Sequence, residues 1–271
     1  LLHGGPGATH EYFECFDAYF PGEGIEYYYY DQLESAYSDQ PNDSSLWDLQ
    51  RYVEEVEQVR KALGLDASNF FLLGHSWGGM LVIEYALRYP QHLKGAIVSN
   101  MVPSIPDYIK YAHEVLAPQL PPKVLEEVKA LEAAKAYDDP RYLDLVVGHY
   151  YPKFFLRMPV HAWPDPVNRA LGNINNAVYT TMQGPSEFGI GGDARIKSWD
   201  RKADLPSIAT PLLAIGATYD TMDPKQMEWM TNTVQQGTYL HCPNGSHMAM
   251  YDDQKAYFEG LTQFIKQVAG I

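Results

Sequence analysis

Gly74-His75-Ser76-Trp77-Gly78 sets a serine between two glycines, each two residues away. A serine hydroxyl is a poor nucleophile until it is held clear of the backbone and a neighbouring base takes its proton. A sharp turn from a strand into a helix does the first job, and it needs small residues at those spacings because the chain passes close to itself there. The glycine pattern alone is common, but its setting is informative. Phe70-Phe71-Leu72-Leu73 before it is an apolar run of strand length, and residues 80–89 after it read as a helix stopped at Pro90. Ser76 is therefore the candidate nucleophile, and the N–H of Trp77, at the helix start, is placed to stabilise an oxyanion.

A base and an acid that orients it must follow, in the chain order serine, acid, histidine. Residues 211–217 read as the next apolar strand, and Asp220 and Asp223 lie just beyond it. Asp223 precedes Pro224 and a helix over 223–234, the pattern of an N-cap with proline at the first helical position. Asp220 has no such structural task and is the expected acid. The base belongs on the loop after the following strand, 237–242. His241 falls inside that strand, whereas His247 follows the turn Pro243-Asn244-Gly245-Ser246 and is the expected base. His75 faces the wrong way for a base and is expected to pack at the turn. The second oxyanion donor is expected from the glycine-rich turn His3-Gly4-Gly5-Pro6-Gly7, with Gly5 as the amide.

The elements that must position these groups alternate between strand and helix. After the first turn come a helical stretch at 9–20 with Thr9 as cap, a β-rich run at 25–30 containing four tyrosines and expected as a buried strand, and a helix over 46–63 stopped by Gly64. The strand before Ser76, its helix and the strand at 95–99 form a right-handed parallel β-α-β unit. Residues 103–206 lose the β pattern and gain prolines, aromatics and helical stretches such as 123–137, which marks a mainly helical insertion. A final amphipathic helix is expected over 251–268. The domains are therefore 1–101 as the first part of an α/β core, 102–205 as a helical cap, and 206–271 as the second part of the core.

At 271 residues, with 46% apolar and 20 basic against 34 acidic side chains, the chain is an acidic globular protein of net charge −14. That balance argues against a nucleic-acid backbone or an anionic membrane surface as partner. No apolar run approaches membrane-spanning length. Cys15 and Cys242 make no disulfide framework and lack metal-binding spacing, so they are expected as free buried thiols; neither a metal nor a cofactor is expected.

With these pieces named, the chain resembles the proline iminopeptidases of the α/β-hydrolase superfamily along nearly its whole length. The resemblance rests on His3-Gly4-Gly5-Pro6-Gly7, Gly74-His75-Ser76-Trp77-Gly78-Gly79, Gly216-Ala217-Thr218-Tyr219-Asp220 with Ser246-His247, and Gly184-Pro185-Ser186-Glu187-Phe188. It implies an α/β-hydrolase fold, a mostly parallel sheet flanked by helices, with a helical cap. It further implies removal of an N-terminal residue, typically proline, from a short peptide with a free amine, whose ammonium group meets a cap carboxylate; by motif position that is Glu187. Two departures stand out. Some members carry a second glutamate after the catalytic acid, where this chain has Thr221, so the strictness of proline selection is open. The family also has strands upstream of the HGGPG turn, of which only Leu1 and Leu2 remain, so the sequence is expected to be a destabilised fragment of a longer protein. The rival readings are an esterase or amidase using the same triad, and a binding protein that kept the fold.

Overall fold

In a computed structural model, which describes residues 1–137, 139–190 and 193–271, four strands form one parallel sheet in the order β1-β2-β3-β4. They are β1 (Phe71–His75), β2 (Gly95–Ser99), β3 (Leu212–Ala217) and β4 (Gly237–Cys242). The register aligns Leu72 with Ala96, Ala96 with Leu212, and Leu212 with Gly237. Successive strand residues face opposite sides. Leu72, Ala96, Val98, Leu212 and Ala214 enter one apolar cluster, while Leu73, Ile97, Leu213 and Ile215 enter the other. Both faces are thus buried, as a parallel sheet requires.

The helices follow from the same logic. In chain order they are α1 (Leu49–Ala62), α2 (Trp77–Arg88), α3 (Ile105–Tyr111), α4 (Pro122–Ala133), α5 (Pro140–Leu145), α6 (Tyr151–Phe154), α7 (Asp165–Gly172), α8 (Asn176–Met182), α9 (Pro224–Thr233), α10 (Ala249–Asp252) and α11 (Gln254–Ala269). Asp48 caps α1 by accepting the N–H groups of Gln50 and Arg51, and the helix buries Tyr52, Val53 and Val56. α1, α2 and α9 cover the first face of the sheet, whereas α11 and a 3₁₀ helix over His10–Ala18 cover the second through Phe13, Phe16, Tyr257, Phe258 and Leu261. The six helices α3 to α8 all lie between β2 and β3. Among the described residues this stretch makes no strand ladder, only an isolated bridge from Ser104 to Asp200. No helix among the described residues is long and apolar enough to cross a membrane.

Three expectations are corrected. Residues 25–30 form no strand, and their tyrosines are not buried as a set; Tyr28 is 41% exposed. The run gains one main-chain bond from Leu1, at Tyr28 O (2.8 Å), and instead turns Tyr27 and Tyr29 to hydrogen-bond Asp17 of the 3₁₀ helix. Thr9 precedes that helix without capping it, because its hydroxyl donates to Glu11 Oε2 (2.8 Å). Both cysteines are free, but Cys15 is only half-buried.

Candidate active site

Ser76 closes β1 and opens α2 with φ 56° and ψ −124°. That is a conformation non-glycine residues rarely hold, and the close packing around it explains the flanking glycines. A Cβ on Gly74 would lie 2.0 Å from the Gly78 carbonyl oxygen, and one on Gly78 would lie 2.1 Å from the Leu2 carbonyl oxygen. Leu2 reaches that position because it pairs alongside β1, donating to Leu73 O (2.8 Å) and accepting from His75 N–H (3.1 Å). The elbow therefore depends on three chain segments meeting at once.

Asp220 and His247 come together on the loops after β3 and β4. Both are fully buried, and Asp220 Oδ1 accepts from His247 Nδ1 at 2.8 Å. That bond places the proton on Nδ1 and leaves the Nε2 lone pair available. Burial alone lowers the basicity of His247, but the charge and hydrogen bond of Asp220, with the charge of Glu187, outweigh it and raise the pKa above 6.5. The Thr221 hydroxyl lies 3.0 Å from the same Nδ1 and 3.5 Å from the same carboxylate oxygen. Ser76 and His247 line one cavity, and the Ser76 hydroxyl makes no hydrogen bond among the described residues.

The rejected alternatives have other work. Asp223 caps α9 through Lys225 N–H (2.9 Å). His241 is exposed on β4, within 3.0 Å of Thr218 Oγ1. His75 is buried at the elbow with Nε2 at 2.8 Å from the His247 carbonyl, to which it must donate, and Nδ1 at 3.1 Å from the Tyr12 hydroxyl. Burial and the neighbouring His247 hold its pKa well below the usual range, so it stays neutral.

The HGGPG turn is braced from within. His3 is buried, its Nε2 accepting Gln32 N–H (3.0 Å), and Gly4 N–H donates to the Tyr12 hydroxyl (2.5 Å). Gly5 sits at φ 109°, where a Cβ would lie 2.7 Å from the Ala8 nitrogen. The N–H groups of Gly5 and Trp77 donate to no acceptor among the described residues. Trp77 follows Ser76 in the chain, and Gly5 and Ser76 line the same cavity.

That cavity has a volume of about 440 Å³. It is lined by Tyr151, Phe155, Trp163 and Val167 from the insertion between β2 and β3, together with Ser76 and His247. Glu187 projects into it from the loop after α8, only 6% exposed. Oε1 accepts the Tyr179 hydroxyl (2.7 Å), while the Tyr108 hydroxyl shares its one proton between the Glu187 main-chain carbonyl (2.7 Å) and Oε2 (3.1 Å). No basic side chain among the described residues pairs with it. A buried carboxylate held only by neutral donors is costly unless a cation joins it.

Sequence reasoning did not single out Tyr12, Tyr108 or Tyr179, which are scattered among 21 tyrosines and gain meaning only from contacts. It also passed over Asn100, whose side chain reaches Asp220. The available signal for Asn100 was its position directly after an apolar parallel strand, the end of the sheet where ligands bind.

A parallel sheet with a serine at a strand-to-helix elbow after β1, and an aspartate and a histidine paired on the loops after β3 and β4, is the arrangement of an α/β hydrolase. The sequence profile described as alpha/beta hydrolase fold matches residues 1–254. A proline iminopeptidase of Elizabethkingia meningoseptica is 58% identical over 268 residues, covering 99% of this chain and 89% of that protein. Among solved structures, that of VinJ superposes with TM-score 0.91 at 28% identity, covering 98% of this chain and 89% of the other. The proline iminopeptidase of Mycobacterium smegmatis superposes with TM-score 0.85, also at 28% identity, covering 99% and 88%. The chain belongs to the proline iminopeptidase family of α/β hydrolases.

Proposed function

We propose that the protein is a serine aminopeptidase that releases an N-terminal residue, proline foremost, from short peptides through an acyl-enzyme on Ser76. The observation that carries this reading is Glu187, a buried carboxylate that meets no basic side chain among the described residues, on the same cavity as Ser76 and His247. A peptide's terminal ammonium supplies the missing cation. The distance from Glu187 to Ser76 then measures off one residue to the scissile bond. The relatives named proline iminopeptidase support the choice of proline.

In this mechanism the carbonyl oxygen lies against the Gly5 and Trp77 amides. Ser76 Oγ attacks the carbonyl carbon while His247 Nε2 takes the hydroxyl proton, and Asp220 holds the imidazolium that forms. Each oxyanion donor is worth roughly 10²–10³ in rate. His247 then delivers its proton to the leaving amine as the C–N bond breaks. Water, deprotonated by the same histidine, hydrolyses the prolyl ester and returns the proton to Ser76. Residues 102–205 act as the cap: their aromatic wall takes the pyrrolidine ring and excludes longer chain on the amine side.

The test is a panel of free-amine prolyl, alanyl and leucyl anilides, the N-acetylated prolyl anilide and a short-chain ester, with Ser76→Ala as control. Cleavage of the free prolyl anilide, lost on acetylation and in the variant, is the expected result. Ester cleavage with every anilide untouched overturns the peptidase reading.

A further inference from the structure

Asn100 is the first residue beyond β2, between the strands that carry the nucleophile and the acid. It is fully buried and held at φ 52° by a main-chain bond from its N–H to Ile215 O (2.8 Å). Asparagine is among the few non-glycine residues that tolerate this region. Its side-chain Nδ2 donates to Asp220 Oδ2 at 2.7 Å and to the carbonyl of Ser246 at 3.2 Å. Ser246 is the residue before the base, so one amide group bonds both the acid and the loop of the histidine. The amide orientation is fixed by chemistry, since its oxygen in place of Nδ2 would face a carboxylate and a carbonyl with no proton between them.

The rest of the side chain continues a one-way chain of donors. Tyr257 of α11 has its hydroxyl 3.0 Å from Ser99 Oγ, and Ser99 Oγ donates to Asn100 Oδ1 (2.8 Å). With that bond fixed, Tyr257 must donate to Ser99, Ser99 to Asn100 and Asn100 to Asp220, whose other oxygen accepts the His247 Nδ1–H. Asp220 Oδ1 is occupied by His247 and by Met222 N–H (3.0 Å), so Asn100 is the one side chain that reaches Oδ2 among the described residues.

We propose that Asn100 is a positioning residue for the triad, its amide clamping Asp220 to the loop that carries His247 and so fixing the acid in the orientation the base requires. Without the clamp, Oδ2 is a buried acceptor with no donor, and the carboxylate is free to rotate away from Nδ1. The inference rests on the triad reading above, but not on which substrate that triad serves.

The test uses Asn100→Gly, which keeps the left-handed backbone and removes the clamp, and Asn100→Ala, which removes the clamp and keeps the Cβ. Two readings are taken on the full chain. The first is kcat and KM on the prolyl anilide and on a short-chain p-nitrophenyl ester. The second is the downfield proton resonance of the His247 Nδ1–H···Asp220 bond, which needs no substrate. Both variants are expected to lose kcat roughly 10- to 100-fold, the range for one hydrogen bond to a charged group, with KM changed less than about threefold. Both are also expected to shift or broaden the downfield resonance. If the Gly variant unfolds, the Ala variant carries the same readings. A folded variant with near wild-type kcat and an unmoved resonance overturns the proposal. Wild-type protein that cleaves only the ester refutes the peptidase reading and leaves the Asn100 test to be read on ester and resonance.

Discussion

Replacing Glu187 with glutamine removes a charge while keeping the shape of the side chain, so it separates recognition of the substrate's ammonium from the chemistry at Ser76. Two opposite charges about 4 Å apart at an effective dielectric near 20 attract by about 4 kcal/mol. The amide oxygen still accepts one hydrogen bond, worth about 1 kcal/mol. The net loss is about 3 kcal/mol, on the order of 100-fold in kcat/KM for a free-amine prolyl anilide. The fold should hold, because the Tyr179 and Tyr108 hydroxyls can turn to pair with both ends of the amide. A short-chain ester has no ammonium and should be cleaved within about threefold of wild type. The assay is parallel steady-state kinetics on the two substrates. A loss below about threefold on the anilide, or an equal loss on the ester, refutes the reasoning: the first because no ammonium meets Glu187, the second because Glu187 then acts only through structure.

Asp220→Asn leaves the shape of the triad but no longer selects the His247 tautomer, so kcat should fall by about 10⁴ with the melting transition retained; a loss under about 100-fold contradicts the assignment. The pH profile follows from His247, which works only when neutral and whose pKa is raised above 6.5. Activity should therefore be lost as pH falls through a value above 6.5, and Glu187→Gln, which removes one of the raising charges, should move that acidic limb downward. A wild-type limb well below 6.5 would contradict the coupling to Asp220. Gly74→Ala sets a Cβ 2.0 Å from a backbone oxygen that no rotamer change can relieve. Denaturant unfolding should show a loss above about 4 kcal/mol, and a loss under about 1 kcal/mol would mean the elbow is less tightly built than described.

The proposed nucleophile, acid and base could be placed from sequence because their positions are tied to local pattern. Each stands a few residues beyond a run of strand pattern, and strand ends in a parallel sheet share one edge. Asp223 could be set aside from sequence for a similar reason, since an aspartate before Pro224 is a cap whatever surrounds it. The run at 25–30 was misread because strand-like composition is not a strand: a ladder needs a neighbour, and the neighbours were not written in those six residues. What Glu187 faces, and that its carboxylate meets only tyrosine hydroxyls among the described residues, depends on α3 and α8 packing around one loop. Asn100 is the plainest case. Its residue type and its place after β2 were visible from the start, yet its role exists only where the loops after β3 and β4 close around it. Sequence determines what is carried by neighbours along the chain, while contacts between segments more than a hundred residues apart are decided when the sheet assembles them.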